Sequence, residues 1–393
     1  MSDLGVGARL ATYRKLAGKT QAQLAQSANF SLSLVRKVEQ GDLPASQAFI
    51  ASAAHVLKIE PEMLTGAPYR ETIEQEGPLD GLSDLRAILV EGQYVAAVAP
   101  EPLPQLASEL DAINNMYRND KGRQALARLP ILLRQLYGAA RDASTDEDRG
   151  RIFSLLSSGY VTAERLCRRF GYMSLCAPAL DRLEWLATQA DDPLFMPQAK
   201  VKRARVLMYL NTYDVGLDLV EKGLNEVRGD DERSNAVRGY AHLCGAMSAA
   251  RGRKPDIARS HIAAARELAT RINGESDAYG TLFGEGNVGI HACAVELEVG
   301  DPGRAAHDGS ALMLPASIAP PRAGHHWQDT ARAWVLTGKP NNALQALNLA
   351  RKVAPQQTRL HPSVRETLRS IAESERRQTD SLTAFAGWVG MTL

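Results

Sequence analysis

The sequence predicts an all-α protein in which a small five-helix domain precedes a long stack of helical hairpins. Three observations predict it. Two helix caps flank a tight turn between Thr20 and Gly41. From Leu103 onward nearly every segment carries apolar residues at helical spacing, rich in alanine and leucine and almost free of strand signals. A glycine-containing turn closed by proline, with an alanine three residues on, recurs through the second half. At 393 residues, with 45% hydrophobic content and a formal net charge of +1, the chain is long enough for two or three globular domains.

The amino-terminal elements follow in order. Thr20 and Gln23 form a T-x-x-Q capping box, in which each side chain satisfies a backbone N–H that the helix start leaves without a partner. Leu24 and Ala25 give this helix an apolar face, and Asn29 ends it. Ser31 caps the next helix, Phe30 and Val35 occupy the two positions of a hydrophobic staple, and Gly41 terminates it. Helix, tight turn, helix is the helix-turn-helix unit, whose second helix enters the major groove of DNA. Val35 and Val38 face inward, which leaves Ser33, Arg36 and Lys37 outside, within reach of base edges, while Leu32 offers only apolar contact, for instance with a thymine methyl. Ser31 at the helix start completes this DNA-facing set. Residues 1–64 carry seven positive against five negative charges. Non-specific affinity should therefore be modest, and stable binding should need a dimer.

Thr20, Gln21, Leu24, Ala25, Ser31, Ser33, Val35, Val38, Glu39 and Gly41 match the pattern T-Q-x-x-L-A, a turn, then S-x-S-x-[IV]-x-x-[IV]-E-x-G. Over about residues 4–66 the chain thus resembles the Xre and lambda-repressor type of helix-turn-helix family. The resemblance implies that Gln21 and Gln40 contact phosphates, setting register rather than sequence, and that Arg14 pairs with Glu39. Leu32 departs from the polar residue often found at its position.

Pro68, Gly77, Pro78 and Gly81 interrupt an acidic stretch, and Pro100, Pro102 and Pro104 make a second, stiff break. Between them Leu82, Leu85, Ile88 and Leu89 have helical spacing. We therefore expect a DNA-binding domain over 1–69, a linker with a short helix over 70–102, and a helical-repeat domain for effector binding and dimerisation over 103–393. Within the last, Pro255 with Ala258, Pro302 with Ala305 and Pro340 with Ala343 each open the second helix of a pair. The alanines lie 47 and 38 residues apart, and Gly216 falls 42 before Ala258. These periods scatter around tetratricopeptide length, roughly 34 residues, and an earlier pair fits between Ile152 and Ala190. The expected architecture is a tetratricopeptide-like α-solenoid. Three phrases, Phe283 to Asp301, Gln328 to Leu344 and Ala354 to Glu366, resemble actinobacterial Xre-type regulators with such a domain, which implies a transcription regulator and leaves its ligand open.

No P-loop, G-x-S-x-G, H-E-x-x-H or clustered carboxylate motif is present, so neither catalysis nor a cofactor is expected. Adjacent His325 and His326 point about 100° apart on a helix, which rules out a shared metal site of the i, i+4 kind. Cys167, Cys176, Cys244 and Cys293 lack C-x-x-C spacing and read as small buried residues, Trp327 and Trp334 as packing groups on one helical face. With neither an apolar run of roughly 20 residues nor a secretory signal, a cytoplasmic protein is expected. The first helix of each repeat lines the inner surface in such stacks, and polar pairs at i, i+4 spacing mark it: Arg238 with His242, Asn287 with His291, and His325 with Asp329. On that face Asn287 would bind a peptide backbone, Phe283 would cover an apolar group and Arg332 would hold a carboxylate. Two functions fit. One is a homodimeric regulator that binds an inverted-repeat operator in double-stranded DNA and senses a peptide or small molecule. The other is an adaptor whose solenoid binds a partner protein, with DNA binding secondary.

Overall fold

Five short helices build the amino-terminal domain: α1 (Val6–Leu16), α2 (Gln21–Ser27), α3 (Leu32–Gln40), α4 (Gln47–Leu57) and α5 (Pro61–Thr65). The structure is a computed structural model and describes residues 5–66, 77–374 and 380–391. Both halves of the capping box are made. Gln23 N donates to Thr20 Oγ1 at 3.1 Å, and Thr20 N donates to Gln23 Oε1 at 2.8 Å. Asn29 turns the chain at φ 60°, Ser31 Oγ accepts from Leu34 N at 3.1 Å, and Gly41 stops α3 at φ 86°. Leu10, Leu24, Val35, Phe49 and Leu64 close one apolar core, with Phe30 against Phe49 at a ring separation of 5.1 Å.

Pro68 and the start of the expected linker, residues 67–76, lie outside the described residues. The short helix expected beyond them is α6 (Leu82–Glu91), but it is not a free connector. Leu85, Ile88 and Leu89 are buried in the same cluster as Leu129, Leu156 and Leu183 of the repeats, because an apolar stripe this wide needs a partner surface.

Six hairpins follow: α7 (Leu103–Arg118) with α8 (Gly122–Asp142), α9 (Asp146–Arg169) with α10 (Cys176–Ala187), α11 (Phe195–Leu207) with α12 (Tyr213–Glu226), α13 (Glu232–Arg251) with α14 (Pro255–Ala269), α15 (Glu285–Val299) with α16 (Pro302–Ala311), and α17 (Pro320–Leu336) with α18 (Pro340–Val353). Pro255, Pro302 and Pro340 each stand at the first position of a second helix, and Ala258, Ala305 and Ala343 are buried where that helix meets its partner. Each first helix also packs on the next first helix, from α7 to α17, so these six form an unbroken inner layer with the second helices outside. Between α14 and α15 a two-residue ladder, β1 (Glu275–Ser276) and β2 (Phe283–Gly284), pairs Glu275 with Gly284. Helices α19 (Pro355–Leu360), α20 (Pro362–Ser374) and α21 (Asp380–Val389) complete the chain.

The far end of the stack returns to its beginning. Asp120, between α7 and α8, accepts from Gln356 N at 2.7 Å and Gln357 N at 3.0 Å, and Gln356 Oε1 accepts from Arg123 N at 3.0 Å. The repeats therefore close into a ring. The small domain is held against it at several points. Ser52 Oγ donates to Asn211 Oδ1 at 2.9 Å, the Arg253 guanidinium lies 4.8 Å over the Phe30 ring and bonds the Asn29 carbonyl, and Val6 N donates to Glu366 Oε2 at 3.2 Å. Among the described residues no helix is long and apolar enough to cross a membrane. Cys167, Cys176 and Cys244 are buried and Cys293 half-buried, all as free thiols, and Trp327 and Trp334 pack on one apolar cluster of the last repeats.

Candidate DNA-reading helix and central cavity

On α3 the valines that anchor the helix decide what is left outside. Val35 and Val38 are buried, and Ser31, Ser33, Arg36, Lys37 and Gln40 are exposed along the opposite side. Leu32 is half-buried and packs against the domain core with Leu34, so only part of its side chain is available outward. Gln21 is half-buried as well. Its amide donates to Glu39 Oε2 at 2.8 Å, which gives it a structural bond in addition to any phosphate contact. Glu39 also takes Arg14 in two bonds, Nε to Oε1 at 2.5 Å and Nη2 to Oε2 at 2.9 Å, while Arg14 Nη1 reaches the Lys19 carbonyl at 2.8 Å. Burial alone would raise the Glu39 carboxyl; the bonds from Arg14 and Gln21 outweigh it and hold the group below its ordinary range.

The inner helices of the ring surround a cavity of about 810 Å³. Each contributes from its inward face: Tyr117 on α7, Arg165 on α9, Arg205 on α11, Tyr240 on α13, Asn287 on α15 and Arg322 on α17. Gln47, Glu60, Glu62 and Thr65 of the small domain line it too, so one part of its wall belongs to the helix-turn-helix domain.

Arginine dominates this wall, and most of it is paired. Arg165 meets Asp277 at 3.1 Å, Arg168 meets Glu164 at 2.8 Å, and Arg332 and Arg251 share Glu298 at 3.3 and 3.9 Å. Burial opposes the charge on Glu298, and those two arginines outweigh it. Arg169 bonds the Tyr117 carbonyl at 3.1 Å and stacks 3.6 Å from the centre of its ring. The surplus of positive charge registers on Tyr117: burial works to raise its phenol, yet Arg169, Arg165, Arg168 and Arg205 bring it down to about 7. The histidines respond in the same sense. Burial, then the charge of Arg322, keeps His291 and His325 well below the ordinary imidazole value, and burial with His325 beside it pushes His361 down to about 3.

Of the eight residues expected to meet an effector, Asn287, His291, His325, Asp329 and Arg332 come together at this cavity. Three do not. Arg238 is turned to the loop before its helix, where it bonds the carbonyls of Val227 at 3.2 Å and Gly229 at 2.6 Å. His242 faces outward to α14, its Nδ1 2.9 Å from Nδ1 of His261. Phe283 lies on β2 rather than on a helix, and its ring is fully buried against Gly239. Asn287 itself is 2% exposed and its amide is committed within the chain: Nδ2 bonds the Leu282 carbonyl and Oδ1 accepts from Arg322 Nε at 2.8 Å. It positions Arg322 and is not free to pair with a peptide backbone. Arg165, Arg168, Arg169, Arg205 and Arg322 were not anticipated. The signal for Arg165, Arg168 and Arg169 is their i, i+3 and i+4 spacing on α9, a pattern that a solvated face also produces, while Arg205 and Arg322 stand on other helices with no such spacing to mark them.

Residues 6–65 match the family model described as a helix-turn-helix domain, so the amino-terminal unit is a DNA-binding domain of the kind that transcription regulators carry. No curated protein matches the chain. Among solved structures it is similar to PlcR of Bacillus thuringiensis, crystallised with the peptide PapR7 and DNA, at 12% identity and a TM-score of 0.35, over 89% of this chain and 95% of that one. BtubC (BKLC) from P. vanneervenii is similar at 13% identity and a TM-score of 0.35, over 64% of this chain and 91% of its own. Likenesses this slight transfer neither a ligand nor an assembly to this chain.

Proposed function

We propose that this chain is a cytoplasmic, non-catalytic, sequence-specific transcription regulator in which residues 1–69 read DNA and the helical ring dimerises and senses an effector in its central cavity. The observation that carries the DNA-reading part is α3, a doubly capped helix whose Arg36, Lys37, Ser33 and Gln40 are exposed on one side while its valines are locked in the core. Such a helix presents donors to the major groove without any change in its own fold. A single domain with so small a basic surplus covers too few base edges, so two copies should act on an inverted repeat with half-sites about 10 base pairs apart, or a multiple of that. Genome-wide mapping of binding sites tests this reading. A compact palindromic motif, lost with Arg36→Ala/Lys37→Ala, is expected; binding without any recurrent motif would favour the adaptor instead.

A further inference from the structure

We infer that the central cavity receives a small organic polyanion, a molecule with at least two phosphate or carboxylate groups, clamped between Arg205 and Arg322. This rests on the reading of the ring as the sensing part, and names the chemistry that it senses. Two guanidiniums of the cavity wall form no direct ion pair, although Asp329 on the same wall acts on Arg322 at longer range. Arg165, Arg168, Arg251 and Arg332 each have a carboxylate, and Arg169 has a carbonyl and an aromatic face. Among the described residues neither Arg205 nor Arg322 has a carboxylate within ion-pair distance. Arg205 donates to the Tyr240 hydroxyl at 3.0 Å, and Arg322 is held by Asn287 Oδ1 at 2.8 Å, with its Nη2 3.3 Å from His291 Nδ1. These neutral contacts aim the two groups but do not neutralise them.

Arg205 and Arg322 are half-buried, where water screens a charge only in part, and a wall that needed only polarity would not be built from arginine. The shortage extends further, because Arg168 and Lys202 share the single carboxylate of Glu164, at 2.8 and 3.9 Å. Arg205 and Arg322 come from inner helices three hairpins apart, α11 and α17, and face one common volume. Burial and then the charge of Arg205 lower the proton affinity of Arg322, to about 10, with Asp329 acting the other way. An anion between them removes that repulsion, and planar guanidiniums take phosphate or carboxylate oxygens two at a time. The volume, about 810 Å³, suits a ligand of nucleotide size rather than an inorganic ion. Tyr209, half-buried on the same wall, supplies aromatic surface for its uncharged body. Glu60 and Glu62 line part of the same wall, so the cavity that holds the ligand reaches the helix-turn-helix domain.

The test uses the full chain and two probes, sodium pyrophosphate and sodium citrate, in thermal melts and calorimetry against sodium chloride of equal ionic strength. At least one probe should raise the melting temperature in a saturable way that chloride does not reproduce; which one does so separates a phosphate from a carboxylate ligand. Arg205→Gln and Arg322→Gln should each weaken that probe by on the order of tenfold or more. Arg36→Ala/Lys37→Ala should leave it unchanged, which excludes the recognition helix as the anion site. Without probe, Arg322→Gln should melt no lower than wild type, since it removes a half-buried cation that has no direct ion pair, whereas loss of a purely structural arginine would lower it. Probes that act only as chloride does, or binding that survives both substitutions, would overturn the inference. An intact palindromic DNA motif alongside that result would leave the regulator standing and remove only the polyanion.

Discussion

Arg14 and Glu39 carry the clearest energetic consequence of any single pair in the small domain. Their side chains are 10% and 5% exposed, and Gln21 adds a third bond to the same carboxylate, so removing one partner strands a charge in a place water barely reaches. Glu39→Ala should destabilise α1 to α3 by up to about 3 to 5 kcal/mol. Hydrogen exchange on the full chain reads this locally, and unchanged protection of α1 and α3 amides would make the pair energetically minor. The pH dependence has a definite sign. The folded-state carboxyl lies below its unfolded value, so its contribution is complete above the ordinary carboxylate range and is lost as pH falls through the depressed folded value. At the DNA-facing residues, Arg36→Ala and Lys37→Ala should each weaken specific binding by about 1 to 3 kcal/mol per lost base contact and leave the melting temperature unchanged. Gln21→Ala should differ from them. It should weaken all DNA sequences alike, and it should also loosen the Arg14–Glu39 pair, a cost visible without DNA.

Among the elements, α13 and β2 fit tightly. A Cβ built at Gly239 would fall 1.9 Å from the Phe283 ring, so Gly239→Ala must push that ring out of a fully buried site. We expect a loss of about 1 to 3 kcal/mol, checked by denaturant unfolding, and restored in part by Phe283→Leu. This contact also shows where sequence reasoning stops. Local chemistry was legible throughout: the capping box, the Ser31 cap, the left-handed Gly41 and the three helix-starting prolines are each decided within a few residues, and each is where spacing places it. The side on which a polar residue of an inner helix ends up depends on its neighbours in space. Arg238 and His242 share the i, i+4 spacing of Asn287 and His291, yet the first two turn to a loop and to α14, and the second two to the cavity. Nothing in the vicinity of Phe283 announces a two-residue ladder, so its spacing from Asn287 reads as helical. Helix α6 looked like a tether for a related reason: proline breaks on both sides mark its ends but not the surface on which its leucines rest.

For the molecule as a whole, burial of imidazole predicts sensitivity to mild acid. Six of its eight histidines, His242, His261, His291, His325, His326 and His361, have folded-state values below the ordinary one, with burial the leading cause in each. Between those values and about 6.5 the unfolded chain binds more protons than the folded one, so stability is complete above about 6.5 and falls as pH drops below it. Glu275 opposes this, since burial raises its carboxyl to about 7; burial also raises Glu62, Asp120, Asp329 and Glu373, but from ordinary carboxylate values that lie below the imidazole range. Melting temperatures measured from pH 7.5 to 5.5 should decline steadily below about 6.5; a flat profile would mean that the imidazoles open to water before the fold does. The joining of Asp120 to Gln356 and Gln357 has a different consequence. In an open array of repeats the terminal units have one neighbour instead of two and fray first, so stability grades from the middle outward. A loop of repeats has no terminal unit, and exchange protection should be level from α7 round to α18. Asp120→Ala cuts the loop at one place, and protection should then drain from α7, α8 and α18 to α20 while α11 to α14 keep theirs, turning a single cooperative body into a chain with two loose ends.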